Sequence, residues 1–157
     1  MAFEGPARAL VHALKFGGAL ALADLMAAQM VALCPPGILS PGAVLVPVPT
    51  HPARRRRRGF CHAERLALAV GARTGLTVVR VLARRGPPTR QAGSGRAARL
   101  AGGRVLVAPR ARVTVPASVV LVDDVHTTGA TLAACAGALR TGGARRVTAL
   151  TYARALR

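Results

Sequence analysis

VVLVDDVHTTGATL, residues 119–132, runs from four aliphatic side chains into two adjacent carboxylates, then a polar turn, then the start of a helical pattern. A short, unbroken apolar run of this kind predicts a strand buried on both faces, as in a parallel sheet. Asp123 and Asp124 then stand at the carboxyl end of the strand, where open parallel sheets bind their ligands. Thr127, Thr128 and Gly129 form the turn, and the spacing of Leu132, Cys135, Ala136 and Leu139 predicts a helix over 129–141. Loop amides and a helix N-terminus at that position attract an anion. Gly129 lets backbone approach a phosphate without a side-chain clash, and Thr127, Thr128 and Thr131 add hydroxyl donors. Adjacent carboxylates accept hydrogen bonds from a cis-diol or hold Mg²⁺ through water. A turn that takes a phosphate beside acids that take a diol describes a ribose 5-phosphate site.

Outward from this stretch, strands and helices alternate. Residues 43–48 (AVLVPV), 77–83, 104–108, 118–122 and 146–152 read as strands. Helices are expected near 7–14, 19–33 and 61–74 from the periodic spacing of Ala, Leu, Val and Met. The pattern predicts one α/β domain over 1–157, with a parallel sheet of about five strands flanked by helices. Residues 1–40 hold two helices and no strand, and form a small helical hood beside a core over 41–157. Residues 84–103 lack apolar periodicity, and a loop that long is usually functional or mobile.

Length and composition narrow the class further. The chain has 157 residues, 52% of them hydrophobic, which excludes a disordered chain. Only 3% are aromatic, so the core is built from Ala, Val and Leu. Twenty-three basic residues against five acidic ones give a net charge of +18. Arginine accounts for all the basic residues except Lys15. GC-rich coding explains Arg in place of Lys, but it does not explain the scarcity of acids. The excess predicts attraction to polyanions, either phosphorylated metabolites or nucleic acid. Cys34, Cys61 and Cys135 stand far apart, so neither a zinc cluster nor a disulfide framework is indicated, and a reduced cytoplasmic setting fits. No targeting or membrane segment is evident.

The 119–132 stretch closely resembles the phosphoribosyl pyrophosphate (PRPP) signature of type I phosphoribosyltransferases. VPVPTHPARRRRRGF (46–60) looks like a segment of the ComF family of competence-protein-like phosphoribosyltransferase homologues. FEGPARALVHALKFGG (3–18) resembles the same family's N-terminal helix with its Lys-Phe pair, and Thr89, Gln91, Arg96, Arg99 and GARRVTALTYAR (143–154) also fit. The resemblance implies the type I phosphoribosyltransferase fold. It gives Asp123 and Asp124 the ribose-diol role, with Mg²⁺ held through the ligand, and wraps the 5-phosphate with Val125, His126, Thr127, Thr128, Gly129, Ala130 and Thr131. The loop over 50–59, with Arg57, Arg58 and Gly59, takes the pyrophosphate-loop position, and 84–103, with Arg96 and Arg99, matches the mobile loop. The implied partners are PRPP or a ribose 5-phosphate ligand, single-stranded DNA or a competence helicase, and a second copy in a homodimer. The implied biology is DNA uptake or nucleotide-linked metabolism. An active salvage or biosynthetic transferase releasing pyrophosphate and a non-catalytic DNA- or helicase-binding adaptor are the alternatives.

Departures from the family pattern are specific. The family's N-terminal zinc module is missing, so no zinc is expected. Cys61-His62 replaces the Asn-Gln that usually follows Arg-Gly-Phe. Ser94-Gly95 and Ala98 replace mobile-loop residues. His126 lies either on the ligand or toward solvent, Lys15 either near the site or on the surface, and His51 and His62 receive no role. The run Arg54–Arg58 is either a solvated loop or a phosphate-contacting one.

Overall fold

The computed structural model describes residues 1–16, 21–85 and 106–155. Two helices come first, α1 (Gly5–Phe16) and α2 (Ala21–Ala32), followed by β1 (Val44–Pro47). Helices α3 (Pro52–Arg58) and α4 (His62–Thr74) precede β2 (Leu82–Arg85) and β3 (Leu106–Pro109). The chain continues through β4 (Ser118–His126), α5 (Ala130–Thr141) and β5 (Arg146–Arg154). No helix among the described residues is long and apolar enough to cross a membrane.

Strands β1, β4 and β5 form a parallel sheet with β4 in the middle, and β2 pairs with β3 antiparallel in a separate ribbon. Because side chains alternate across a strand, each strand feeds two cores. Val120 and Val122 of β4, with Leu45, Leu150 and Tyr152, pack against α1, α2 and α4. Val119 and Leu121, with Val46, pack against Cys135 and Leu139 of α5 and against Val81 and Leu82. Burial on both faces accounts for the aliphatic run. The Tyr152 hydroxyl donates to Gln29 Oε1 at 2.7 Å and ties α2 to β5.

Among the described residues the parallel sheet has three strands where about five are expected, and the cause lies in β1. The Leu45 N–H donates to the Thr77 carbonyl, and the Leu45 carbonyl accepts from the Val79 N–H. The next residue on that edge is Pro47, which has no N–H to donate, so the ladder stops after one bridge between Leu45 and Val78. The chain then leaves the sheet, and β2 and β3 pair with each other.

The basic stretch after β1 also differs from the expected loop. Pro52 opens α3 at a position where a missing N–H costs nothing, and His51 Nδ1 accepts from the Ala53 N–H at 3.2 Å. Arginine is a good helix former, and Gly59 ends the helix with φ of 77°. Of the expected 84–103 loop, Arg84 and Arg85 belong to β2, and 86–103 lie outside the described residues.

Candidate functional site

Strand β4 outruns β1. Its pairing with β5 continues past Val122 to Asp123↔Thr151, Val125↔Ala153 and His126↔Arg154. Both acids, with Val125 and His126, therefore sit on an ordered strand, and the turn is confined to Thr127, Thr128 and Gly129. Each acid also secures local backbone. Asp123 Oδ1 accepts from the Asp124 N–H and Asp124 Oδ1 from the Val125 N–H, both at 2.9 Å.

Strand alternation gives the two carboxylates different surroundings. Asp124 follows the parity of Val120 and Val122 and meets the helices on that face. Lys15 Nζ of α1 lies 2.5 Å from its Oδ2, and His62 Nε2, at the start of α4, lies 3.6 Å from its Oδ1. The Asp124 side chain is only 5% exposed. Burial would raise its carboxyl, but the charges of His62 and Lys15 outweigh burial and hold it below the usual carboxylate value. Asp123 follows the other parity. Burial, reinforced by the neighbouring Asp124 charge, pushes its carboxyl well above the ordinary value. The pair thus divides into a fixed anion and a carboxyl that protonates easily. Cys135 of α5 lies on the Asp123 side, and burial together with the Asp123 charge pushes its thiol up to about 12.

Ligand atoms of His62, Asp123 and Asp124 all lie within 4.8 Å of one another. Carboxylate oxygens suit a hard ion such as Mg²⁺, and an imidazole nitrogen widens the choice toward transition metals. Lys15 contacts Asp124 Oδ2, and the Oδ1 of each acid already accepts a backbone N–H, so much of the pair's acceptor capacity is taken. This arrangement fits an ion carried mainly by the phosphates of a ligand.

The turn leads straight into α5, whose first turn carries no acidic side chain. The opening N–H groups of a helix have no intrahelical acceptor and favour an anion. Thr128 Oγ1 takes one of them, from Ala130, at 3.4 Å. Gly129 is required twice over. Its φ is 77°, and a Cβ there would lie 2.9 Å from His126 Nε2. The His126 Nδ1 is buried and has no hydrogen-bond partner among the described residues. Gly129→Ala is expected to destabilise the fold by about 1–3 kcal/mol and to weaken binding of inorganic phosphate. Thermal melts and phosphate titration on one preparation check both.

A cleft of about 180 Å³ opens beside the end of β1, where Thr50 and Cys61 line it with Arg55, Arg80, Arg84 and Arg110. The Thr50 hydroxyl and the Cys61 thiol are 3.2 Å apart. Among the described residues Glu64 is the one carboxylate on the wall, and it pairs with Arg80. Burial, then the like charge of Arg54, pushes the Arg84 guanidinium down. The cleft therefore has a surplus of positive charge, and of the residues 50–59 it is lined by Thr50, Pro52 and Arg55. Gly59 caps α3 beside it; the side chains of Arg57 and Arg58, and all of Arg96 and Arg99, lie outside the described residues.

The sequence alone points to no role for His62 and leaves Lys15 either near the site or on the surface. Both stand at Asp124, brought there by α4 and α1 from 62 and 109 positions away along the chain. One signal could have flagged Lys15: it is the sole lysine among 23 basic residues.

Neither a protein-family model nor a curated protein sequence matches the chain. Among solved structures it is similar to the allosteric regulatory enzyme of purine biosynthesis, with a TM-score of 0.51 and 22% identity. The match covers 83% of this chain and 25% of that one, so the chain spans about a quarter of the enzyme's length. The likeness shows the fold. With a parallel sheet, flanking helices and acids at the carboxyl end of its central strand, the molecule shares the α/β fold of the matched part of that enzyme.

Proposed function

We propose that this chain binds PRPP or a related ribose 5-phosphate, with Mg²⁺ arriving on the ligand, as the ComF-like resemblance of its segments implies. The observation that supports this reading most is the continuity of β4, the Thr127–Gly129 turn and α5. That single segment offers a diol acceptor and an anion cradle on one rigid support. Asp123 and Asp124 accept the 2- and 3-hydroxyls, while the amides at the start of α5 and the hydroxyls of Thr127, Thr128 and Thr131 hold the 5-phosphate. The arginine-rich cleft beside the end of β1, with Thr50 and Arg55 on its wall, is the part of the protein that would take the diphosphate.

Such an arrangement suits displacement of diphosphate at the anomeric carbon. Bound Mg²⁺ would supply charge neutralisation of the leaving diphosphate. The protein's own part is to orient the ribose through its diol and phosphate and to face the departing anion with Arg55, Arg84 and Arg110. The acceptor is unassigned, and a role in DNA uptake or in nucleotide-linked metabolism, in the cytoplasm, is the biology that the family resemblance adds.

Calorimetry with PRPP, with and without Mg²⁺, tests the proposal. The parent is expected to bind, and Asp123→Asn/Asp124→Asn to lose at least a hundredfold in affinity. An unaltered affinity in the folded double variant, or no binding by the folded parent, overturns it. Binding with no diphosphate release across a panel of bases and amines would favour the non-catalytic alternative over the transferase.

A further inference from the structure

Lysine is nearly absent from this protein. Of 23 basic residues, 22 are arginine, and the exception, Lys15, makes the contact to Asp124. The two cations differ in shape. An arginine presents a broad planar fork of five donors, whereas a lysine presents a compact point charge. Both, however, bring a single positive charge, and that charge is what Asp124 receives from Lys15. The acid's side chain is 5% exposed and that of His62 is 11% exposed, while Lys15 reaches in from α1 with its own side chain 24% exposed. The ammonium stands 2.5 Å from Asp124 Oδ2, beside a group of one nitrogen and two oxygen donors gathered within 4.8 Å. Such a mixed donor set is one that first-row divalent metals accept.

We propose that Lys15 is a tethered cation standing in the place of a divalent metal at the His62–Asp123–Asp124 cluster, so that docking of Lys15 and metal binding at the cluster exclude each other. The reason is electrostatic. A divalent ion and an ammonium would together place three positive charges against two carboxylates in a space with little water to screen them. An ion that enters must move Lys15 off Asp124, and Lys15 belongs to α1. Metal occupancy is thereby coupled to the position of the N-terminal helix. The inference concerns the cation alone and does not rest on the identity of the organic ligand.

Mn²⁺ alone is the probe, with no organic ligand present, and its free-ion paramagnetic resonance signal is the readout. Lys15→Met is expected to bind one Mn²⁺ at least tenfold more tightly than the parent. Lys15→Arg, which keeps the charge, is expected to show no such gain. Adding Asp124→Asn to Lys15→Met is expected to abolish it. Equal affinity in parent and Lys15→Met, or a gain that survives Asp124→Asn, overturns the proposal. A second measurement uses the parent and so does not depend on a variant folding. Saturating Mn²⁺ is expected to raise the acetylation rate of Lys15 severalfold, read by mass spectrometry of the peptide that carries it, and an unchanged rate overturns the proposal. Failure of PRPP binding leaves these results untouched, so the two readings fail separately.

Discussion

Asp123→Asn is expected to make the protein more stable at neutral pH, and Asp124→Asn to make it less so, although the two residues are adjacent and the substitutions identical. Asparagine keeps an oxygen where each acid accepts its local N–H bond, so the comparison isolates charge. Burial and the neighbouring anion raise the Asp123 carboxyl. Between the unfolded value of about 3.9 and the raised folded one, the folded protein therefore holds a proton that the unfolded chain has released. That group's contribution is most favourable in acid and declines as pH rises through the window above 3.9. Removing it is expected to gain about 1 kcal/mol at pH 7, and the gain should vanish near pH 3.5. Asp124 has the opposite sign. Its folded value is depressed by His62 and Lys15 against the effect of burial. Its stabilisation is present above 3.9 and lost as pH falls through the depressed value. Asp124→Asn leaves Lys15 and His62 facing each other without their anion, which costs about 3 kcal/mol. For a chain of this length that corresponds to a fall in Tm of roughly 6–12 °C. Melting curves for both variants at pH 7 and pH 3.5 check the signs.

Leu66→Ala is expected to cost 2–5 kcal/mol, roughly the range for a fully buried leucine. Leu66 has no exposed surface and lies in the core shared by α1, α2, α4 and the sheet. The neighbours there are small: Ala7, Ala23, Ala27, Ala43, Ala67 and Ala69 line the same cluster. With 3% aromatic residues in the whole chain, few large side chains can move to fill the space. The same helix supplies a control in Leu68, which is 47% exposed. Leu68→Ala is expected to change stability by no more than about 0.5 kcal/mol. Urea unfolding of both variants, with m compared as well as midpoint, separates a lost contact from a change in the unfolded chain.

What was legible in the sequence was what lies close along the chain. The aliphatic run, the acid pair and the Thr-Thr-Gly turn are contiguous; the unbroken apolar run located β4 as far as Val122, and helical spacing located α5. Lys15 and His62 were not legible as partners of Asp124, because two helix packings bring them there. The five-arginine run read as a loop because charge masked a helix whose signals were Pro52 and Gly59 at its ends. The expected strand over 77–83 broke because pairing depends on the partner's free N–H groups, and Pro47 of β1 supplies none.

The extension of β4 beyond β1 also determines where occupancy of the site can be detected. Backbone amides paired within a central strand exchange with solvent chiefly through large-scale opening, whereas those of a bare turn exchange by small local excursions. Deuterium uptake at Val119–Val122 is therefore set by the whole fold, and a bound ligand can slow it only as far as it stabilises the molecule. Uptake at Thr127, Thr128 and Gly129 is expected to respond directly to a ligand bound as proposed. On the proposed reading the acids would receive the ligand on an ordered strand, and the turn beside them would be the part of the site that reports binding.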